Sequence, residues 1–195
     1  ENTIALVTGA NTGIGFHLAR QLSQAGVRVL LGSRDPGRGS DAAQMLTAEG
    51  LEVEQLTINI TDDQSIAAAV DHVGQTHGRL DLLINNAAIA GDLRPPSSVS
   101  RASMLATYDT NVAGVAAVTN GFLPLLRASS RARVLNVSSE LGSTRLVNDP
   151  DWPFSGVSAA AYQASKSALD MLTVLYAKEL AAEHITVVSV RPGSR

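Results

Sequence analysis

The chain has 195 residues, 45% hydrophobic and 17% charged, with a formal net charge of −3. That is enough to bury a core and too apolar for a disordered segment, and no basic block is present to meet a nucleic acid. Cysteine is absent, which excludes a disulfide framework and a thiolate metal site and fits a reducing compartment.

Short β-branched runs alternate with longer amphipathic ones along the chain. TIALVT (3–8) reads as a strand and GIGFHLARQLSQAG (13–26) as a helix closed by Gly26. VRVLLGS (27–33) is a second strand and GRGSDAAQMLTAEG (37–50) a second helix. LEVEQLTI (51–58) follows as a third strand, then TDDQSIAAAVDHVGQTHG (61–78) as a helix capped by Thr61 or Asp62. LDLLINN (80–86) is a fourth strand, and 100–129 a long helix despite its internal glycines. RARVLNVSS (131–139), a long helix over 158–184 and ITVVSVR (185–191) complete the series. Runs such as LDLLI and ITVVSV are apolar at nearly every position, the pattern of a strand buried on both faces of a parallel sheet. Six strands with helices between them predict a doubly wound α/β fold in a single domain over 1–195. The loop-like stretches 91–100 and 142–158 then follow carboxyl ends of strands, where open α/β sheets bind ligands.

The segment TGANTGIG (Thr8–Gly15) lies between the first strand and the first helix. Gly9, Gly13 and Gly15 there allow a tight turn, close backbone approach to a pyrophosphate and tight helix–strand packing. The helix N-terminus offers free N–H groups to the anion. Alone, the glycines also suit a plain strand-to-helix turn; their place after the first of six alternating strands favours the dinucleotide reading. At the end of the second strand an acidic residue would hold a ribose 2′-hydroxyl. The chain has Ser33 and Arg34 there, with Arg38 four residues on. A guanidinium matches a 2′-phosphate, which favours NADP(H) over NAD(H). Asp35, one place late for the usual acid, speaks the other way.

YQASK places Tyr162 and Lys166 at i and i+4, on one helical face. A free phenol has a pKa of about 10, and a nearby ammonium favours its ionised form. Such a pair suits proton exchange with a carbonyl oxygen or an alcohol. In isolation it is equally an aromatic and a lysine on an ordinary helix. Two further features join it: Ser138 and Ser139 end the fifth strand, and Asn111 sits inside a helix, where an amide has little propensity value.

Taken in order, TGANTGIG, NNAA (85–88), Asn111, the serine of SSELG, YQASK and RPG (191–193) span the chain end to end. In this ordered set the chain resembles the short-chain dehydrogenase/reductase family, its single-domain, carbonyl-reductase-like members. The resemblance implies that Tyr162 is the general acid in reduction and base in oxidation, and that Lys166 tunes it and bonds the nicotinamide ribose. It implies that Ser139, which precedes Gly142 by three positions, bonds the substrate oxygen, and that Asn111 holds a water linking Lys166 to a proton relay. Cofactor contacts are expected from Gly9, Asn11, Thr12, Gly13, Ile14 and Gly15 in the glycine loop, and from Arg34 and Arg38 on the 2′-phosphate. Asn59 and the Ile60 backbone are expected at the adenine, and Asn86, Ala87 and Ala88 past the fourth strand. Pro192 and Gly193 would approach the nicotinamide.

The chain departs from the family pattern at Ala88, where glycine is usual, and at Asn59, where Asp is usual. The longer gap from Ser139 to Tyr162 carries NDPDWPFSG, expected to add an apolar wall to the substrate pocket through Trp152 and Phe154. Members normally continue past RPG with a substrate loop, a helix and a seventh strand, so a C-terminal part is expected beyond Arg195. The expected activity is NADP(H)-dependent interconversion of a carbonyl and an alcohol on a small molecule, without metal, since the four histidines show no ligand spacing. Two rival readings share these motifs: an NADP(H)-binding regulator without turnover, and a nicotinamide-recycling isomerase or dehydratase. Members commonly form homo-oligomers, often through the two long helices. No signal peptide or spanning segment is read from the sequence, so the expected location is cytoplasmic.

Overall fold

The computed structural model describes residues 3–193. The strands are β1 (Ile4–Val7), β2 (Arg28–Ser33), β3 (Val53–Thr57), β4 (Leu82–Asn85), β5 (Arg133–Val137) and β6 (Thr186–Val190). The helices are α1 (Gly13–Gln24), α2 (Pro36–Ala48), α3 (Asp63–His77), α4 (Arg101–Tyr108), α5 (Val115–Arg127), the short α6 (Thr144–Val147) and α7 (Ala160–Glu179). All strand pairs are parallel, in the order β3-β2-β1-β4-β5-β6. The chain winds outward from β1 to β3, then returns to β4 on the other side of β1. The crevice above β1 and β4 is therefore the switch point of the sheet, the usual ligand position.

The apolar runs become two core layers. On one face Leu6, Leu30, Leu83 and Val134 meet Phe122 and Leu126 of α5 and Tyr176 of α7. On the other, Val7, Val29, Leu31 and Ile84 meet Ala19 of α1 and Ala42 and Leu46 of α2. Each fully buried Leu contributes roughly 2 kcal/mol. A polar ladder runs through the first layer. Asn85 Nδ2 donates to Thr119 Oγ1 at 3.1 Å and to Asn136 Oδ1 at 2.9 Å, and Asn136 Nδ2 donates to Thr173 Oγ1 at 2.8 Å. All four residues are buried, and Asn85 and Asn136 are register partners. The ladder thus ties α5 and α7 to the middle of the sheet, and an unpaired member would cost about 1–3 kcal/mol.

Four expectations need correction. The helix predicted over 100–129 is interrupted: Asp109–Gly114 form a π-helical turn between α4 and α5. Gly114 explains how the turn packs, because a Cβ there would lie 2.7 Å from the Ile60 carbonyl oxygen. Of the strand predicted as buried on both faces at 185–191, only one face is buried among the described residues: β6 pairs with β5, Val187 is buried, and Val188 and Val190 are 44% and 38% exposed. The helix predicted over 158–184 ends as an α-helix at Glu179 and closes in a 3-10 turn, Leu180–Glu183. The loop predicted over 142–158 contains α6.

Candidate active site

The glycine loop is shaped by contacts that glycine alone permits. Gly9 has φ +63°, and a Cβ there would lie 2.9 Å from Ala87 Cα; a Cβ on Gly15 would lie 2.6 Å from the Gly9 carbonyl and collide with the Asn86 amide. Asn86 Nδ2 donates to the carbonyls of Thr8 at 2.9 Å and Gly9 at 3.1 Å, while Thr8 Oγ1 accepts from the N–H of Asn86 and of Ala87. Helix α1 opens with Thr12 in extended conformation and no side-chain cap, and its first turn holds no acidic residue. Its first N–H groups therefore point uncapped into the crevice, a ready anion site.

A cleft of about 470 Å³ runs along this loop. Gly9, Asn11, Thr12, Gly13 and Ile14 line one side, Arg34, Asp35 and Arg38 a second, and Asn59, Ile60, Asn86, Ala87 and Ala88 the rest. The structure thus brings together most of the sequence-predicted cofactor residues, with Gly15 buried beneath them. Asp35 spends its carboxylate at the start of α2, where Oδ1 accepts from the Arg38 N–H at 3.0 Å. Arg34 and Arg38 remain exposed, the latter with a loose 3.9 Å pairing to Asp35. Asn59 Oδ1 accepts from both the N–H and the hydroxyl of Thr61, so the oxygen expected to face the adenine amino group is already engaged. Its place in the cleft wall is kept. Ser33, named beside Arg34 at the end of the second strand, lines the cleft too, as do Ile58, Ile89 and Thr110, for which the sequence carries no local signal.

The reactive group lies beside the carboxyl end of β5. Tyr162 and Lys166 share one face of α7, with Lys166 Nζ 5.7 Å from the centre of the Tyr162 ring. Lys166 is only 3% exposed, and Nζ donates to the Val137 carbonyl at 2.7 Å. Burial pushes its amine down to about 8, against the pull of Asp170, which raises it. Ser138 is buried, with its hydroxyl donating to the Lys166 carbonyl at 3.5 Å. Ser139 is half-buried, and its Oγ accepts from the Leu141 N–H at 3.2 Å. Gly142 lets this segment cross α7: a Cβ there would come within 2.8 Å of Lys166 backbone.

Asn111 sits fully buried in the π-helical turn. Its Oδ1 accepts from the Ile89 N–H, and its Nδ2 donates to the Ile89 carbonyl and to Ser165 Oγ, all within 3.0 Å. The Asn111 side chain is a splice between the loop after β4 and helix α7, with only an acceptor position on Oδ1 to spare. Two apolar clefts border α7, one beside Leu105 and Val112 and one beside Met104 and Leu141; the expected wall of Trp152 and Phe154 lines neither, and the two rings pack edge-to-face on each other at 5.4 Å. Pro192 and Gly193 follow β6 and are exposed. No helix among the described residues is long and apolar enough to cross a membrane.

Comparison with known proteins agrees with this geometry. The family model for "short chain dehydrogenase" matches residues 3–194. The chain is 37% identical over 196 residues to the short-chain dehydrogenase anuI of Penicillium roqueforti, covering 97% of this chain and 77% of that one. It is 43% identical over 147 residues to carbonyl reductase [NADPH] 1 of Sus scrofa, covering 75% of this chain and 50% of the relative. Against other relatives it spans about 60% of their length. A metagenomic short-chain oxidoreductase solved with NADP superposes with TM-score 0.84 at 32% identity, covering 99% of this chain and 83% of that one. An NAD+-bound xylitol dehydrogenase superposes with TM-score 0.87 at 27% identity, covering 98% and 70%. The uncapped glycine turn, the six-stranded order and these matches together make the chain a member of the short-chain dehydrogenase/reductase family of oxidoreductases.

Proposed function

We propose that the protein is an NADP(H)-dependent oxidoreductase that interconverts a carbonyl and an alcohol on a small molecule, with Tyr162 as general acid and base. The observation that carries this reading is the placement of Tyr162 beside a buried Lys166 at the carboxyl end of β5, with Ser139 in the adjoining turn. A phosphate-bearing dinucleotide suits the cleft, because the glycine loop lines it with backbone and the α1 N-terminus is uncapped. Arg34 and Arg38 would hold a 2′-phosphate, while Asp35 gives one carboxylate oxygen to the start of α2. The solved relatives include both an NADP and an NAD+ complex, so the preference rests on these two arginines.

When bound, the nicotinamide supplies or accepts the hydride. Tyr162 gives its phenolic proton to the carbonyl oxygen in reduction and takes it back in oxidation. Ser139 accepts from Leu141, which leaves its own hydroxyl hydrogen free to donate to the same oxygen as charge develops. Ser138 cannot serve, since it is buried and its hydroxyl is aimed at Lys166. Of the three Lys166 donors one is spent on Val137, and the other two remain for ribose hydroxyls. Asn111 fixes α7 against the loop after β4, which holds the tyrosine in place. Exposed Met171, Val174 and Leu175 on α7 and Leu105 on α4 support the expected homo-oligomer contact through these helices.

Oxidation of NADPH, followed by absorbance with a panel of ketones and aldehydes, tests the reading. Turnover of at least one carbonyl is expected. Tight NADPH binding without turnover on any of them would instead favour a nucleotide-binding regulator.

A further inference from the structure

The spacing that puts Tyr162 and Lys166 on one face of α7 continues one turn further to Asp170. Asp170 is largely buried, with its side chain 18% exposed. Its Oδ2 accepts from Arg191 Nη2 at 2.7 Å, across 21 residues of sequence. Its Oδ1 is buried and has no hydrogen-bond partner. A carboxylate oxygen left in that state is costly, and the positive charge one turn back along the helix is Lys166. Arg191 stands where β6 ends and the Pro192–Gly193 stretch begins.

We propose that Asp170 and Arg191 form a positioning pair for Lys166: the carboxylate keeps the buried lysine a cation, and the arginine limits how strongly it does so. The pair also ties the end of β6 to the helix that carries Tyr162. This inference rests on the functional reading above and deepens it by adding two residues that touch neither substrate nor reacting atoms. Asp170 opposes the downward push of burial on the lysine. The other groups around Lys166 differ in kind. On α7 they are Tyr162 and Ser165; β5 offers the Val137 carbonyl and the Ser138 hydroxyl, both uncharged; the π-helical turn contributes neutral Asn111, while its Asp109 is exposed. Arg191 reaches the lysine only through Asp170.

The chain contains only two lysines, Lys166 and Lys178, so protein labelled with 13C,15N-lysine gives two side-chain signals, assigned with Lys178→Arg. Asp170→Asn keeps the shape and removes the charge; the Lys166 titration midpoint is expected to fall by about half a pH unit. Arg191→Met leaves the carboxylate unneutralised, and the midpoint is expected to rise. An unmoved or raised midpoint in Asp170→Asn overturns the proposal. So does a shift of both variants in the same direction, the mark of a pair that merely fastens helix to strand. The pH at which kcat changes should follow the midpoint in each variant. The titration needs neither cofactor nor substrate, so it decides this point even if the wild-type protein reduces no carbonyl.

Discussion

At the amino end of the strands, Asp81 accepts from the Ile4 N–H at 2.8 Å, from Ser129 Oγ at 2.6 Å and from Arg79 Nε at 3.2 Å. At the carboxyl end, Lys166 holds a buried ammonium on a single carbonyl, Asp170 keeps an unpartnered oxygen, and the first N–H groups of α1 go uncapped. Both ends bury ionisable groups in one sheet. The first closes every valence and acts as a rivet; the second leaves valences open, at a cost in stability, and those open positions are where a ligand can bind. Burial pushes the Asp81 carboxyl up, but the hydrogen bonds from Ser129 and Ile4 and the Arg79 charge outweigh it and hold the group below its ordinary value.

The sharpest way to break this contrast is Tyr162→Phe. Turnover should fall about a thousandfold, the scale of a lost general acid, while NADPH affinity and thermal stability stay close to wild type. Retained activity would take Tyr162 out of its role. The next effect belongs to Lys166, held at about 8 against an ordinary 10.5. Between these values the unfolded chain keeps a proton that the folded chain has released. Unfolding free energy should therefore rise with pH across that window, by up to about 3 kcal/mol. Lys166→Met should remove the rise, read as the difference between wild-type and variant urea midpoints from pH 7 to 11.

At the riveted end, Asp81→Asn should cost about 2 kcal/mol of stability and leave the NADPH dissociation constant unchanged. With its folded value depressed, Asp81 stabilises above its unfolded pKa of about 3.9, and that contribution is lost as pH falls through the folded value. Urea titration at pH 7 and pH 3 should show the difference between wild type and Asp81→Asn shrinking in acid. The smallest expected change is at the cleft wall: Arg34→Ala should weaken NADPH by about tenfold and NADH hardly at all. An unchanged ratio of the two affinities, measured by fluorescence titration, would move the 2′-phosphate site elsewhere.

Much of this was legible from local pattern. The alternation of strand and helix, the glycine loop before α1 and the shared face of Tyr162 and Lys166 depend on residues within one or two turns of each other, so periodicity reports them. Ser138 and Ser139 both end the fifth strand in the sequence, and only the fold separates them, one hydroxyl buried against the Lys166 carbonyl and the other half-exposed. The π-helical turn at 109–114 escaped periodicity, and the close approach of Gly114 to the Ile60 carbonyl, more than 50 residues away, is a spatial contact. Sequence alone determined that a dinucleotide-type loop and a Tyr–Lys face exist in one doubly wound chain. Only the tertiary structure decided that Val137 meets Lys166, that Asn111 is spent on Ile89 and Ser165, and that Asp35 caps α2. Those outcomes depend on which distant backbone groups and charges packing brings within 3 Å of one another, and no periodicity along the chain encodes that distance.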